Sequence, residues 1–175
     1  SSDVEAVTVE LENISIELHP AGEDGDVKVT LNGRAVGHQI RTPEISMLAS
    51  RISALPAVRA KLTLMQQQIG AHGRVVAEGR DTGTVVFPGA AYKFYLDAAP
   101  EERASRRALQ LREKGEEVDE KALLAMTVTR DKNDSEREIA PLKKADDAVY
   151  IDTTGVSADQ VLERLLAVIA DKKNP

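Results

Sequence analysis

Cysteine and tryptophan are absent from this 175-residue chain, and aromatic residues make up only 3% of it. Without cysteine there is no disulfide framework and no thiolate metal site, so nothing points to secretion and a reducing cytoplasm is the expected setting. Scarce aromatics leave Val, Leu, Ile and Ala to fill the core. No apolar run approaches the ~20 residues of a membrane helix. The start, Ser1-Ser2-Asp3-Val4, has neither the basic nor the apolar region of a signal peptide, and no membrane association is expected. Positive charge is not in excess either. A net charge of -6 argues against sequence-independent nucleic-acid binding, which needs a basic face to displace counterions, but it leaves room for a small anion in a locally basic pocket. His19, His38 and His72 lie in separate segments, without the spacing of a zinc site. Asp131 to Glu136 is acidic enough to suggest a calcium loop, but Glu136 stands where such a loop needs glycine at its sixth position, so no metal site is assigned. There is no Gly-x-Ser-x-Gly elbow, zincin helix or dinucleotide fingerprint.

What is present is ordinary in amount and informative in order. Hydrophobic residues make up 42% and charged residues 30%, as in a globular protein with one main core and an appendage. Val4, Val7 and Leu11 after a Ser/Asp cap predict a short helix. The period then changes to two through Ile14, Ile16, Leu18, Val27, Val29 and Leu31, with Asn32-Gly33 at a turn, which predicts a small antiparallel meander over 14–36. Thr42-Pro43-Glu44 opens one helix and Pro56 a second, running to about Ile69. Short apolar strands are predicted at 74–77, 92–97 and 149–152, and helices at 100–114, from 118 to about 130, and after Ser157. Strands with helices between them predict a parallel α/β sheet.

The arginines are the chemically pointed feature. Arg103, Arg106 and Arg107 share a face of the 100–114 helix, and Arg130, Asp134 and Arg137 share another if the following helix continues. Arg41, Arg51, Arg59 and Arg80 stand near caps and turns. Each alone reads first as a solvated or ion-paired side chain. Together they suit forked recognition of phosphate. Between two glycines, Glu78-Gly79-Arg80-Asp81-Thr82-Gly83 sets a guanidinium beside a carboxylate at the end of an apolar run.

Five strings then occur in order: Ile40-Arg41-Thr42-Pro43-Glu44, Leu55-Pro56-Ala57-Val58-Arg59, Gly79-Arg80-Asp81-Thr82-Gly83-Thr84-Val85-Val86-Phe87-Pro88, Arg130-Asp131-x-x-Asp134-x-x-Arg137 and Ile151-Asp152-Thr153-Thr154-Gly155. In these the chain resembles the bacterial cytidylate kinases, a branch of the nucleoside monophosphate kinases, from about Val4 to Ile169. The resemblance implies a P-loop α/β fold: a parallel sheet flanked by helices, with a small antiparallel β insert and a helical lid. It divides the chain into 1–13 with 37–102 as core and NMP-binding region, 14–36 as the small β-sheet insert, 103–138 as the lid and 139–175 as the C-terminal strand and helix of the core. It implies transfer of the γ-phosphoryl of ATP to CMP or dCMP with Mg2+, by a monomer.

By the same matching, Ser50, Arg59 and Asp81 would read the base, and a carboxylate suits the C4 amino donor of cytosine. Arg80 and Arg137 would hold the CMP phosphate, Arg130 and Asp134 the ribose hydroxyls, and Arg41 would be phosphate-linked or structural. Arg80, Arg130 and Arg137 would carry catalysis by neutralising charge, while Arg106 and Arg107 would lie in the lid near the transferring phosphates. Thr82 stands where the family more often has a larger aliphatic residue, and Glu136 where it more often has Asn. The larger departure is that no Gly-x-x-x-x-Gly-Lys-Ser/Thr loop occurs in the 175 residues. The chain as written is therefore expected to be catalytically incomplete, with a strand, loop and helix of on the order of 30 residues preceding it. The alternative is a fragment that binds CMP, or only a partner protein.

Overall fold

The computed structural model describes residues 7, 9–19, 27–37, 40 and 42–173. Residues 1–71 and 72–175 form two compact units. In the first, residues 9–12 are helical, and the predicted meander follows as β1 (Ile16–His19), β2 (Lys28–Leu31) and β3 (Arg34–Val36), antiparallel in the order β1-β2-β3. Asn32 and Gly33 turn β2 into β3 with φ of 50° and 74°, the left-handed pair that a two-residue hairpin demands. The Asn32 side chain also accepts from the Ser15 amide at 2.7 Å. Two helices complete the unit, α1 (Pro43–Ile52) and α2 (Pro56–Gly70). Thr42 caps α1 by accepting from the Ile45 amide, and a proline opens each helix where its missing N–H costs nothing.

The second unit is built on a parallel pair, β4 (Phe94–Asp97) and β5 (Val149–Asp152), in the register Phe94 to Val149 through Asp97 to Asp152. Parallel strands need a long crossover. Here it is a helical hairpin, α3 (Pro100–Glu113) and α4 (Glu120–Glu136). Ala104, Ala108 and Leu111 form the buried stripe of α3; two alanines on that stripe let the neighbouring backbone come close. Asp119 caps α4 by accepting from the amides of Lys121 and Ala122. Ser157 and Gln160 bond each other's backbone amides at the start of α5 (Ala158–Lys173), the reciprocal pattern of a capping box.

Two expectations need correction. Residues 74–77 form no strand, and Val76 is fully exposed: β4 and β5 pair only with each other, so no described strand offers 74–77 a ladder. Helix α4 runs on to Glu136 rather than stopping near Arg130, because Asp131 to Glu136 contains neither glycine nor proline. That extension puts Arg130 and Asp134 one turn apart on the same helix face.

Candidate functional site

The cluster is assembled by three local devices in the second unit. Immediately after Arg80-Asp81 the backbone makes a π-helical turn, Thr82–Val86, whose amides converge on the Asp81 carbonyl while the Phe87 amide reaches the Thr82 carbonyl at 2.7 Å. Such single π turns recur at functional sites. Gly79 is needed beside it, since a Cβ there would press on the Thr82 hydroxyl. Helix α4 then presents Arg130 and Asp134. Finally Ala140, a non-glycine residue at φ 51°, turns its carbonyl to accept from Arg137 Nε; a left-handed conformation at alanine costs about 1 kcal/mol, so the surroundings impose it.

Asp134 lies at the centre. It is 3% exposed, and its carboxylate faces Arg80 Nε at 3.0 Å, Arg130 Nε at 3.8 Å and Arg137 Nη1 at 3.9 Å. Asp81, also buried, has Oδ1 3.6 Å from Arg137 Nη2. Three guanidiniums thus meet two carboxylates, which leaves a local positive excess in an acidic protein. Arg80 donates Nε–H to Asp134, one of the five N–H donors of a guanidinium. Arg130 Nε is buried with no hydrogen-bond acceptor among the described residues. A buried donor without an acceptor is an uncommon and costly feature. An arrangement of this kind can hold an anion and at the same time accept from hydroxyl or amino donors.

The other expected site residues make the following contacts within their own units. Arg106 is engaged with the residue that follows β5: its guanidinium donates to Thr153 Oγ1 at 3.2 Å and to the Thr153 carbonyl, while Nε pairs with Glu102 at 2.9 Å. Arg107 contacts Gln110 along its own helix. Ser50 and Arg59 belong to the first unit; the Ser50 carbonyl accepts from Ser53 Oγ, and Arg59 Nε donates to the Ser53 carbonyl at 3.2 Å. Arg41 and His38 lie outside the described residues. Two tertiary pairs were not foreseen. Lys93 pairs with Asp147 at 2.8 Å, and Arg103 with Asp131 at 2.7 Å, each across a sequence separation that carries no local signal. No group of three His, Cys, Asp or Glu side chains able to hold a metal occurs among the described residues, and Asp81 and Asp134 face arginines. The described residues do not by themselves fit a magnesium ion.

The mixed α/β layout, with its parallel pair, small antiparallel sheet and helical hairpin, is that of a nucleoside monophosphate kinase. The sequence model of the family described as "Cytidylate kinase" matches residues 1–171. Over 158 residues the chain is 51% identical to the cytidylate kinase of Syntrophotalea carbinolica, covering 90% of this chain and 67% of that protein. Over 164 residues it is 46% identical to the cytidylate kinase of Carboxydothermus hydrogenoformans, covering 94% and 73%. A bifunctional pantoate ligase/cytidylate kinase of Synechococcus sp. is 47% identical over 165 residues, which cover 34% of that longer protein. The chain belongs to the cytidylate kinase family, whose members phosphorylate CMP. It spans 67% and 73% of the length of the first two of these relatives, and membership of a kinase family implies use of ATP with Mg2+ in general terms. No helix among the described residues is long and apolar enough to cross a membrane.

Proposed function

We propose that this chain carries the acceptor-nucleotide half of a cytidylate kinase, which transfers the γ-phosphoryl of ATP to CMP or dCMP in the cytoplasm. The observation that carries this reading is the convergence of Arg80, Arg130 and Arg137 on buried Asp81 and Asp134. In it Arg80 and Arg137 hold the CMP phosphate, and Arg130 with Asp134 takes the ribose hydroxyls. Asp81 accepts from the cytosine amino group. Ser50 and Arg59 are assigned to the base, and Arg41 to the phosphate, by the sequence motifs alone. Phosphoryl transfer asks the protein mainly for position and neutralised charge, and an arginine cluster suits that better than a nucleophile would. Arg106 and Arg107 are assigned to the lid, taken as 103–138, with 14–36 as the β insert of the NMP-binding region. The protein is taken to be a monomer.

The donor side is proposed on different grounds. Without a Gly-x-x-x-x-Gly-Lys-Ser/Thr loop in these 175 residues, the chain as given is expected to bind CMP and to turn over little. Calorimetric titration with CMP, and separately with ATP and Mg2+, tests this. CMP binding with ATP silent supports the reading, whereas a folded chain that ignores CMP contradicts it.

A further inference from the structure

Arg103, Arg106 and Arg107 share a helix face in sequence, yet Arg103 has a different destination. Its guanidinium is spent on two anchors. Nε donates to the carbonyl of Ala98, the buried residue that follows β4, at 3.0 Å, and the outer fork meets both carboxylate oxygens of Asp131 at 2.9 Å and 2.7 Å. This is the bidentate geometry that fixes orientation as well as distance. Asp131 raises the pKa of Arg103 further, chiefly through the hydrogen bond, against a desolvation that lowers it. Asp131 itself follows Arg130 directly and precedes Asp134 by three residues, so it flanks the face that α4 turns to the cluster. At the far end of the hairpin the pair Arg112–Glu120 is exposed on both sides and sets nothing near the site.

We propose that Arg103 and Asp131 are positioning residues: together they tie the rotation and register of α4 to the end of β4, and so place Arg130 and Asp134 where they recognise the ribose hydroxyls of the acceptor nucleotide. The inference rests on the reading of Arg130 and Asp134 as ribose contacts. A one-residue slip of a helix moves a side chain by 1.5 Å and 100°, which is enough to remove a hydroxyl from hydrogen-bond range. Neither Arg103 nor Asp131 touches the nucleotide in this arrangement.

Calorimetry on the wild-type chain and on Arg103→Met, Asp131→Asn and the double variant, with CMP and with 2′,3′-dideoxy-CMP as probes, separates the possibilities. The wild type is expected to prefer CMP. Each single variant is expected to lose about tenfold in CMP affinity and less than about twofold for the dideoxy ligand, so that the preference collapses. The double variant should match either single, since both break one pair. Arg103→Lys should not restore the preference, because an ammonium is a point charge without the fork. Variants that keep the wild-type preference, or that lose affinity for both ligands in parallel, overturn the positioning role and leave a hairpin clamp. If the wild type binds CMP but shows no preference over the dideoxy ligand, the ribose assignment falls and this inference with it. If the wild type does not bind CMP, the proposed function itself is overturned. Asp131→Asn keeps one acceptor oxygen and reads the same effect if Arg103→Met does not fold.

Discussion

Asp134 is the side chain on which the cluster turns. Its carboxylate is buried among three guanidiniums, and removing it leaves Arg130 and the buried Arg137 side by side without their shared anion. Breaking a buried ion pair from one side is strongly destabilising, but Arg80 and Arg130 are each about two-fifths exposed and water screens part of the repulsion. Asp134→Ala is therefore expected to cost about 2–4 kcal/mol in urea unfolding. Arg80→Ala should cost no more than about 1 kcal/mol, because Asp134 keeps two partners. Equal costs for the two would contradict the central role of Asp134. A second titratable group sits on the turn after β5. The Asp152 carboxyl accepts from the Thr154 amide at 2.9 Å, and that bond, with the Thr154 hydroxyl, holds its pKa below the ordinary 3.8. A lowered folded value means stability that is present above 3.8 and lost below it, as pH falls through the lowered folded value. The gap in stability between wild type and Asp152→Ala should accordingly be constant at neutral pH and close in strong acid; a gap independent of pH would remove the bond as its source.

At the scale of elements, stability is concentrated where α3 meets its neighbours. Ala108 is fully buried, so Ala108→Leu must push α3 away from its contacts and is expected to cost about 1–3 kcal/mol by denaturant unfolding. Val76 is fully exposed with no ladder; Val76→Ser should change the stability of this chain by less than about 0.5 kcal/mol. A large loss there would mean that 74–77 is paired after all. The same two positions show what the sequence made legible. Caps and turns announce themselves locally, as the Thr42 cap, the Asn32-Gly33 turn and the Ser157 cap show. The run at 74–77 has the composition of a strand, but a strand exists only with a partner, and no local pattern reports one. Helix α4 passes its expected end near Arg130 because Asp131 to Glu136 holds no residue that breaks a helix.

At the scale of the whole molecule, the protein carries a net charge of -6 and yet gathers a local positive excess at one cluster. A net negative charge disfavours diffuse attraction of nucleotides, so the local positive excess favours binding at a specific pocket. The spacing of Arg130, Asp134 and Arg137 makes three of the five residues of the cluster visible in the sequence. Its meeting with Arg80 and Asp81 became readable only through the family motifs, since a separation of more than 40 residues depends on packing, as does the pairing of Arg103 with Asp131. The central claim is that this cluster reads CMP. The most direct measurement is the CMP affinity of Asp81→Ala against wild type by calorimetry, with both chains shown to be folded. The expected loss is about 2–5 kcal/mol, roughly 30-fold or more, from losing the acceptor of the cytosine amino group and one of the two carboxylates that face Arg137. An unchanged affinity would contradict it and remove Asp81 from the base-reading role.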